Sequence, residues 1–270
     1  MVANAELQRV GLLGWRTGLG VLLRKENRAW WAPRHWVVQG IVWSVIVNGL
    51  LAAMLFGLPA VVRLLGQASI DAIPIGLDSL FKMGGVALAV GAIILAQDAI
   101  IGERQLGVTE WLLSKPVSRP AYLLSKMAAH GLGVLVIFVA LQGALAYGQL
   151  SLALGKPYPL PAYLVGVAGL AVHTFLYLAS TLMLGVLTTN RGVVLGASLG
   201  VLLTGWLVVP LGAAVSTPMM LTPWTLLHIL PAAVQGVPLP VSIWLPLGVT
   251  VFLSAVCGAV ALARFRRMEF

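Results

Sequence analysis

Few side chains in this sequence could do chemistry, and most of them are badly spaced for it. The four histidines, His35, His130, His173 and His228, show no metal-ligand spacing. Cys257 is the one cysteine, which excludes an intramolecular disulfide and a cysteine-based zinc site. There is no GxxxxGK(S/T) phosphate loop, no HExxH and no GxSxG. His173 falls near the middle of an apolar segment, where an ionisable group is a functional candidate by default. The competing reading is structural, a neutral imidazole hydrogen-bonded to a neighbouring helix, which costs far less in lipid than a fixed charge. Asp98 could relay protons, but a carboxylate at an interface is expected to pair with a nearby arginine. Lys82 is expected to snorkel to the headgroups. Met219 and Met220 with His228 offer soft donors, yet adjacent methionines diverge on a helix. The sequence therefore assigns no catalytic residue and no metal. An intramembrane enzyme using His173 and Asp98 stands as an alternative, as does a membrane anchoring or assembly subunit.

The densest polar chemistry lies in Asp98–Lys126, DAIIGERQLGVTEWLLSKPVSRPAYLLSK, which carries seven charged side chains between two apolar segments. A plain connector needs only a few polar residues. This one predicts a short helix with an apolar ridge of Val108, Trp111 and Leu112, stopped at Pro116, whose ring and missing N–H break the turn. Ser118 is a natural N-cap for the next helix, with Pro120 tolerated in its first turn. A short charged helix with a central tryptophan is suited to docking, because a buried aromatic anchor is how a small interface gains energy.

The elements that must position this helix are membrane spans. Hydrophobic residues make up 60% of the chain and charged residues 9%, against roughly 25% charged in soluble proteins. The fold class is an all-α polytopic membrane protein. Six apolar segments reach the length of about 20 residues that a hydrocarbon core requires: Trp36–Val62, Met83–Ile101, Met127–Leu150, Ala162–Leu187, Val193–Val215 and Ser242–Ala263. They form one membrane domain over 36–270. Residues 1–35 read as an amphipathic interfacial helix, with Leu12, Trp15, Leu19, Leu22 and Leu23 near one face and Trp30, Trp31 and Trp36 as an aromatic belt. Arginines within it exclude a signal peptide. The connector spans 102–126. The outer stretch 216–241 is too apolar for a free loop and too broken by prolines for a span, and reads as one or two short helices, Trp224–Leu230 the clearest. With both termini inside, 14 basic residues lie on the inner side and three on the outer, a strong positive-inside signal. That bias accounts for the net charge of +9 without a nucleic-acid partner.

The connector resembles the permeases of ATP-binding-cassette (ABC) exporters of the type-2 class. The residues that carry the likeness are Glu103, Gly107, Val108, Glu110, Leu112, Leu113, Ser114, Pro116, Val117, Ser118, Arg119, Tyr122, Leu123 and Lys126. The family more often has threonine where Val108 stands, with Thr109 following here. The resemblance implies a permease subunit of the cytoplasmic membrane that pairs with a second copy, a homodimer or a heterodimer with a close relative, among membrane lipids. Two cytoplasmic ATPase subunits would bind ATP and Mg, with no cofactor on this chain. Val108–Lys115 would be the coupling helix, with Trp111 and Leu112 seated in an ATPase groove. Glu110, Lys115 and Arg119 would make rim contacts and Glu103 would brace the connector. The translocation path would be lined by the second and fifth spans, with Gly84, Gly91, Gly196 and Gly200 and also His173 as its candidates, although such small residues equally serve close helix packing. Few charges face such a path, so an amphipathic or apolar cargo (lipid, peptide or drug-like) is expected.

Overall fold

The computed structural model describes residues 14–32, 34–212, 222–239 and 242–268. Leu12 of the expected amphipathic face and the Met219–Met220 pair lie outside the described residues. Among the described residues every element is helical: α1 (Leu19–Trp31), α2 (His35–Leu64), α3 (Ala72–Gln105), α4 (Val108–Leu113), α5 (Arg119–Leu154), α6 (Leu160–Leu187), α7 (Arg191–Gly212), α8 (Thr225–Gln235) and α9 (Trp244–Arg266). Six of these, α2, α3, α5, α6, α7 and α9, are long and apolar enough to cross a bilayer. Helices suit that solvent because each satisfies its backbone groups within itself.

The second and third spans run longer than their apolar runs suggest. The sequence places 63–82 outside the membrane, whereas α3 begins at Ala72, capped by Asp71, whose Oδ1 accepts from the Ile73 amide at 3.1 Å. Asp78 and Lys82 are therefore helical residues of the span. Lys82 does not simply snorkel; its ammonium bonds the Asp78 carboxylate at 2.6 Å. Hydropathy missed this first stretch because the i,i+4 pair lowers the local average while masking its own charges. Ser118 caps α5 as expected, its Oγ accepting from Ala121 N at 3.1 Å. Of the stretch 216–241, the described part forms one helix, α8. It is buried on Leu226, Leu227, Ile229, Leu230 and Val234 against α6 and α3.

The bundle closes around α6, the most enclosed span, while α2, α7 and α9 sit at its edge. Close helix approach depends on glycine in places: a Cβ at Gly91 would collide with Phe138 and Trp43, and one at Gly85 would sit 2.5 Å from Leu227. The spans are also pinned by amides. Asn48 Nδ2 donates to Gln142 Oε1 at 2.7 Å, Gln142 Nε2 to the Ile137 carbonyl at 3.0 Å, and Gln149 Nε2 to Asn48 Oδ1 at 3.1 Å. Asn48 and Ile137 lie in π-helical stretches, Ser44–Asn48 and Val134–Ala140, where the wider turn displaces carbonyls that side chains can then engage.

Candidate functional site

At one end of the bundle the connector is held from every side. The last turn of α3, Ile101–Gln105, leads through Gly107, whose φ of 67° is a left-handed turn that favours glycine, into α4. Trp111 is 61% exposed and projects from α4, with Lys115 Nζ 5.3 Å from its ring centroid. Glu110 is exposed beside it and Val108 is half-buried. Leu112 departs from the expected ridge. With Leu113 it packs partly buried on the core beneath, while Trp111 alone of the three faces outward. Arg119 is engaged as well, donating to the Arg266 carbonyl at 2.8 Å and so tying the connector to the end of α9.

Beneath α4 lies a buried brace. Thr109, fully buried, meets the Tyr122 hydroxyl at 3.2 Å, and that hydroxyl donates to Glu103 Oε2 at 2.7 Å. Lys126, 2% exposed, places its ammonium 3.0 Å from Glu103 Oε2 and 3.2 Å from Glu26 Oε1. Lys25 closes the ring, 2.6 Å from Glu103 Oε1 and 3.1 Å from Glu26 Oε1. Two cations and two anions thus neutralise each other, which is what makes their burial affordable. Partial burial works against the Lys25 ammonium, but the Glu103 and Glu26 carboxylates outweigh it and hold its pKa above the ordinary lysine range.

Glu103 ties the end of α3 to Lys25, Tyr122 and Lys126, partners that the sequence hid. Glu26 sits on the buried stripe Leu22, Glu26, Trp30 of α1, which lies along α5. An acid at the centre of an i,i+4 apolar stripe was the available signal. The N-terminal segment joins through Ser118, whose amide donates to the Thr17 carbonyl at 3.0 Å and whose hydroxyl donates to the Trp15 carbonyl at 2.7 Å. The turn between α6 and α7 joins through Gln105 Nε2 to the Thr189 carbonyl at 3.2 Å. Asp98 finds its arginine, Arg191, at 2.8 Å. The N-terminal segment, the connector, the α6–α7 turn and the end of α9 therefore all meet at this end.

The expected path residues divide. Gly84 and Gly91 are filled by neighbours, Val47 standing 3.1 Å from where a Gly84 Cβ would lie and Phe138 and Trp43 occupying the space at Gly91. Within the single chain both are packed inside the bundle. Gly196 and Gly200 are exposed on α7 with nothing within 4 Å of a built Cβ. His173 is 1% exposed within α6, 5.0 Å from the Tyr177 ring. Contrary to the expected hydrogen bond, neither of its ring nitrogens has a partner among the described residues. His228 of α8 is its titratable neighbour; burial and the Lys82 ammonium pull the His228 imidazole below the ordinary histidine range. Asp98, paired to Arg191, belongs to the connector end, so the structure does not bring His173 and Asp98 together.

Comparison with known proteins agrees with the connector. The family model for the ABC-2 family transporter protein matches residues 60–270. A probable ABC transporter permease protein NosY of Stutzerimonas stutzeri is 29% identical over 131 residues, covering 47% of this chain and 46% of that protein. Its namesake from Pseudomonas aeruginosa is 31% identical over 122 residues, covering 44% of this chain and 40% of that protein. The matches therefore span less than half the length of these curated relatives. Because the family model takes in most of the chain, including the connector and all but the first part of the bundle, the chain belongs to the ABC-2 family of transporters, as a membrane-spanning permease.

Proposed function

We propose that this permease works as the membrane half of an ATP-driven exporter, moved by α4. The observation that carries the reading is Trp111: a large aromatic side chain, exposed on a six-residue helix whose other face is locked to the bundle. An exposed anchor on a rigid mount can transmit force, whereas the same residue on a loose loop could only tether. Two cytoplasmic ATPase subunits, binding ATP and Mg, would each take one α4 into a groove, with Glu110 and Lys115 at its rim. Closure of the ATPases would then push through the brace onto α1 and α5, switching the packing of the bundle as rigid bodies. The positive-inside bias supports a cytoplasmic connector end with both termini inside, in the inner membrane. A second copy, identical or closely related, would face α7, where the open Gly196 and Gly200 allow close approach or leave room for cargo. The cargo is amphipathic or apolar, since the exposed spans carry few charges.

The test is co-purification with the cognate ABC ATPase, followed by ATPase assays in lipid. Trp111→Ala is expected to weaken the complex by about 2 kcal/mol or more while leaving the melting of the isolated permease unchanged. An ATPase that binds and is stimulated equally well by the variant would sink the reading.

A further inference from the structure

A cleft on the opposite half of the molecule has chemistry that coupling does not use. It has a volume of about 650 Å³ and lies between α2, α3 and α8, with Leu50, Met54, Met83, Asp78, Lys82 and Gln235 among its lining residues. Its depth follows from the helices. At a rise of about 1.5 Å per residue, Asp78 and Lys82 lie about 9 and 15 Å inside the outer end of α3, which starts at Ala72. The adjoining α2 has 30 residues, about 45 Å at that same rise, against a hydrocarbon core of about 30 Å. With the excess of α3 itself, 34 residues or about 51 Å, shared between its ends, Asp78 falls at the outer edge of the hydrocarbon core and Lys82 a few Å inside it.

An ion pair at that depth is unusual in two ways. The Asp78 side chain is 50% exposed and that of Lys82 28%, so the pair opens outward instead of being sealed in protein. Among the described residues the pair has this one 2.6 Å contact, which leaves further donors on the ammonium and acceptors on the carboxylate, and the hydrocarbon beside Lys82 has nothing to offer them. Gln235 stands on the α8 side, and His228 of the same helix lies within electrostatic reach of both charges. The rest of the wall is mostly apolar, with Leu50, Met54 and Met83 facing Pro74 and Ile75 and only Ser79 adding a hydroxyl, and methionine adapts to irregular apolar shapes.

We propose that this cleft binds the head of a zwitterionic amphiphile, its acidic group on Lys82, its ammonium on Asp78 and its chain along Leu50, Met54 and Met83. A ligand with both charges satisfies both side chains without breaking neutrality, while an anionic head leaves Asp78 opposed by like charge. The amphiphile can come from the bilayer or be cargo. Binding as such does not depend on the exporter reading; only its role as cargo does.

The experiment is equilibrium binding of fluorescent phosphatidylethanolamine and phosphatidylglycerol to the purified permease in neutral detergent. The wild type is expected to prefer phosphatidylethanolamine by about tenfold, and Asp78→Asn/Lys82→Met to lose that preference. The charge-swapped Asp78→Lys/Lys82→Asp variant, which keeps the ion pair, serves if the uncharged variant does not fold; it is expected to bind phosphatidylethanolamine more weakly because the two charges are reversed. Equal affinity of the wild type for the two lipids, or undiminished preference in both variants, overturns the proposal. In the assembled complex, phosphatidylethanolamine that stimulates ATP hydrolysis through the wild type but not through the variants is cargo. Bound lipid without stimulation is a resident of the bilayer. Either result leaves the binding site standing, and failure of the ATPase to bind at all would touch only the exporter reading.

Discussion

The two halves of this permease treat buried polarity in opposite ways. At the connector end, Lys25, Glu26, Glu103 and Lys126 form a closed set, extended by Tyr122 and Thr109. Away from that end, His173 sits mid-span in the core with neither nitrogen bonded among the described residues, and further out the Asp78–Lys82 pair faces outward. A closed set fixes geometry, since every member loses its partners if one moves. An open set leaves capacity for something else to bind. In the exporter proposed above, such a difference would let one end carry force while the other adapts to a ligand.

The sharpest way to break the contrast is Lys126→Met. It leaves Glu26 and Glu103 to the half-exposed Lys25 alone and is expected to cost about 3 kcal/mol, seen as a lowered melting midpoint and faster proteolysis ahead of α5. If the midpoint does not move, the brace is not closed in the way described. Next comes overpacking. Gly91→Leu should cost at least about 2 kcal/mol by driving a side chain into Phe138 and Trp43, whereas Gly200→Leu should leave melting of the single subunit within about 0.5 kcal/mol. Equal effects would put Gly200 in a packed seam within one chain. Tyr122→Phe removes the hydroxyl between Thr109 and Glu103 and is expected to cost about 1 kcal/mol, with a larger fractional loss of stimulated ATPase activity than of stability. At the small end is His173→Leu. Deleting a buried polar group without a partner should be neutral or raise the melting midpoint; a clear loss of stability would mean that the imidazole is satisfied by something in the membrane-embedded protein.

Much of the fold was legible because membranes impose long apolar helices and a basic inner side. The six spans, the cap at Ser118 and the stop before Pro116 all rest on such local rules. The start of α3 was not legible, because Asp78 and Lys82 look like loop residues until the helix places them one turn apart. Nor was the fate of Leu112, which depended on which way a six-residue helix is rolled against the core. Gly84 and Gly91 resemble Gly196 and Gly200 in sequence, and only their neighbours separate packing from exposure.

The sequence by itself determined the solvent, the number of spans, the position of the short α4 helix and the placement of Trp111 on it. These follow from hydropathy, charge and proline, which act through adjacent residues. The tertiary structure alone decided that Glu26 meets Lys126, 100 positions away, that α4 is mounted on a neutral buried ring, and that His173 is left unbonded. Those outcomes turn on which helix faces which, and a charge cannot choose its partner until the backbone has brought the two together.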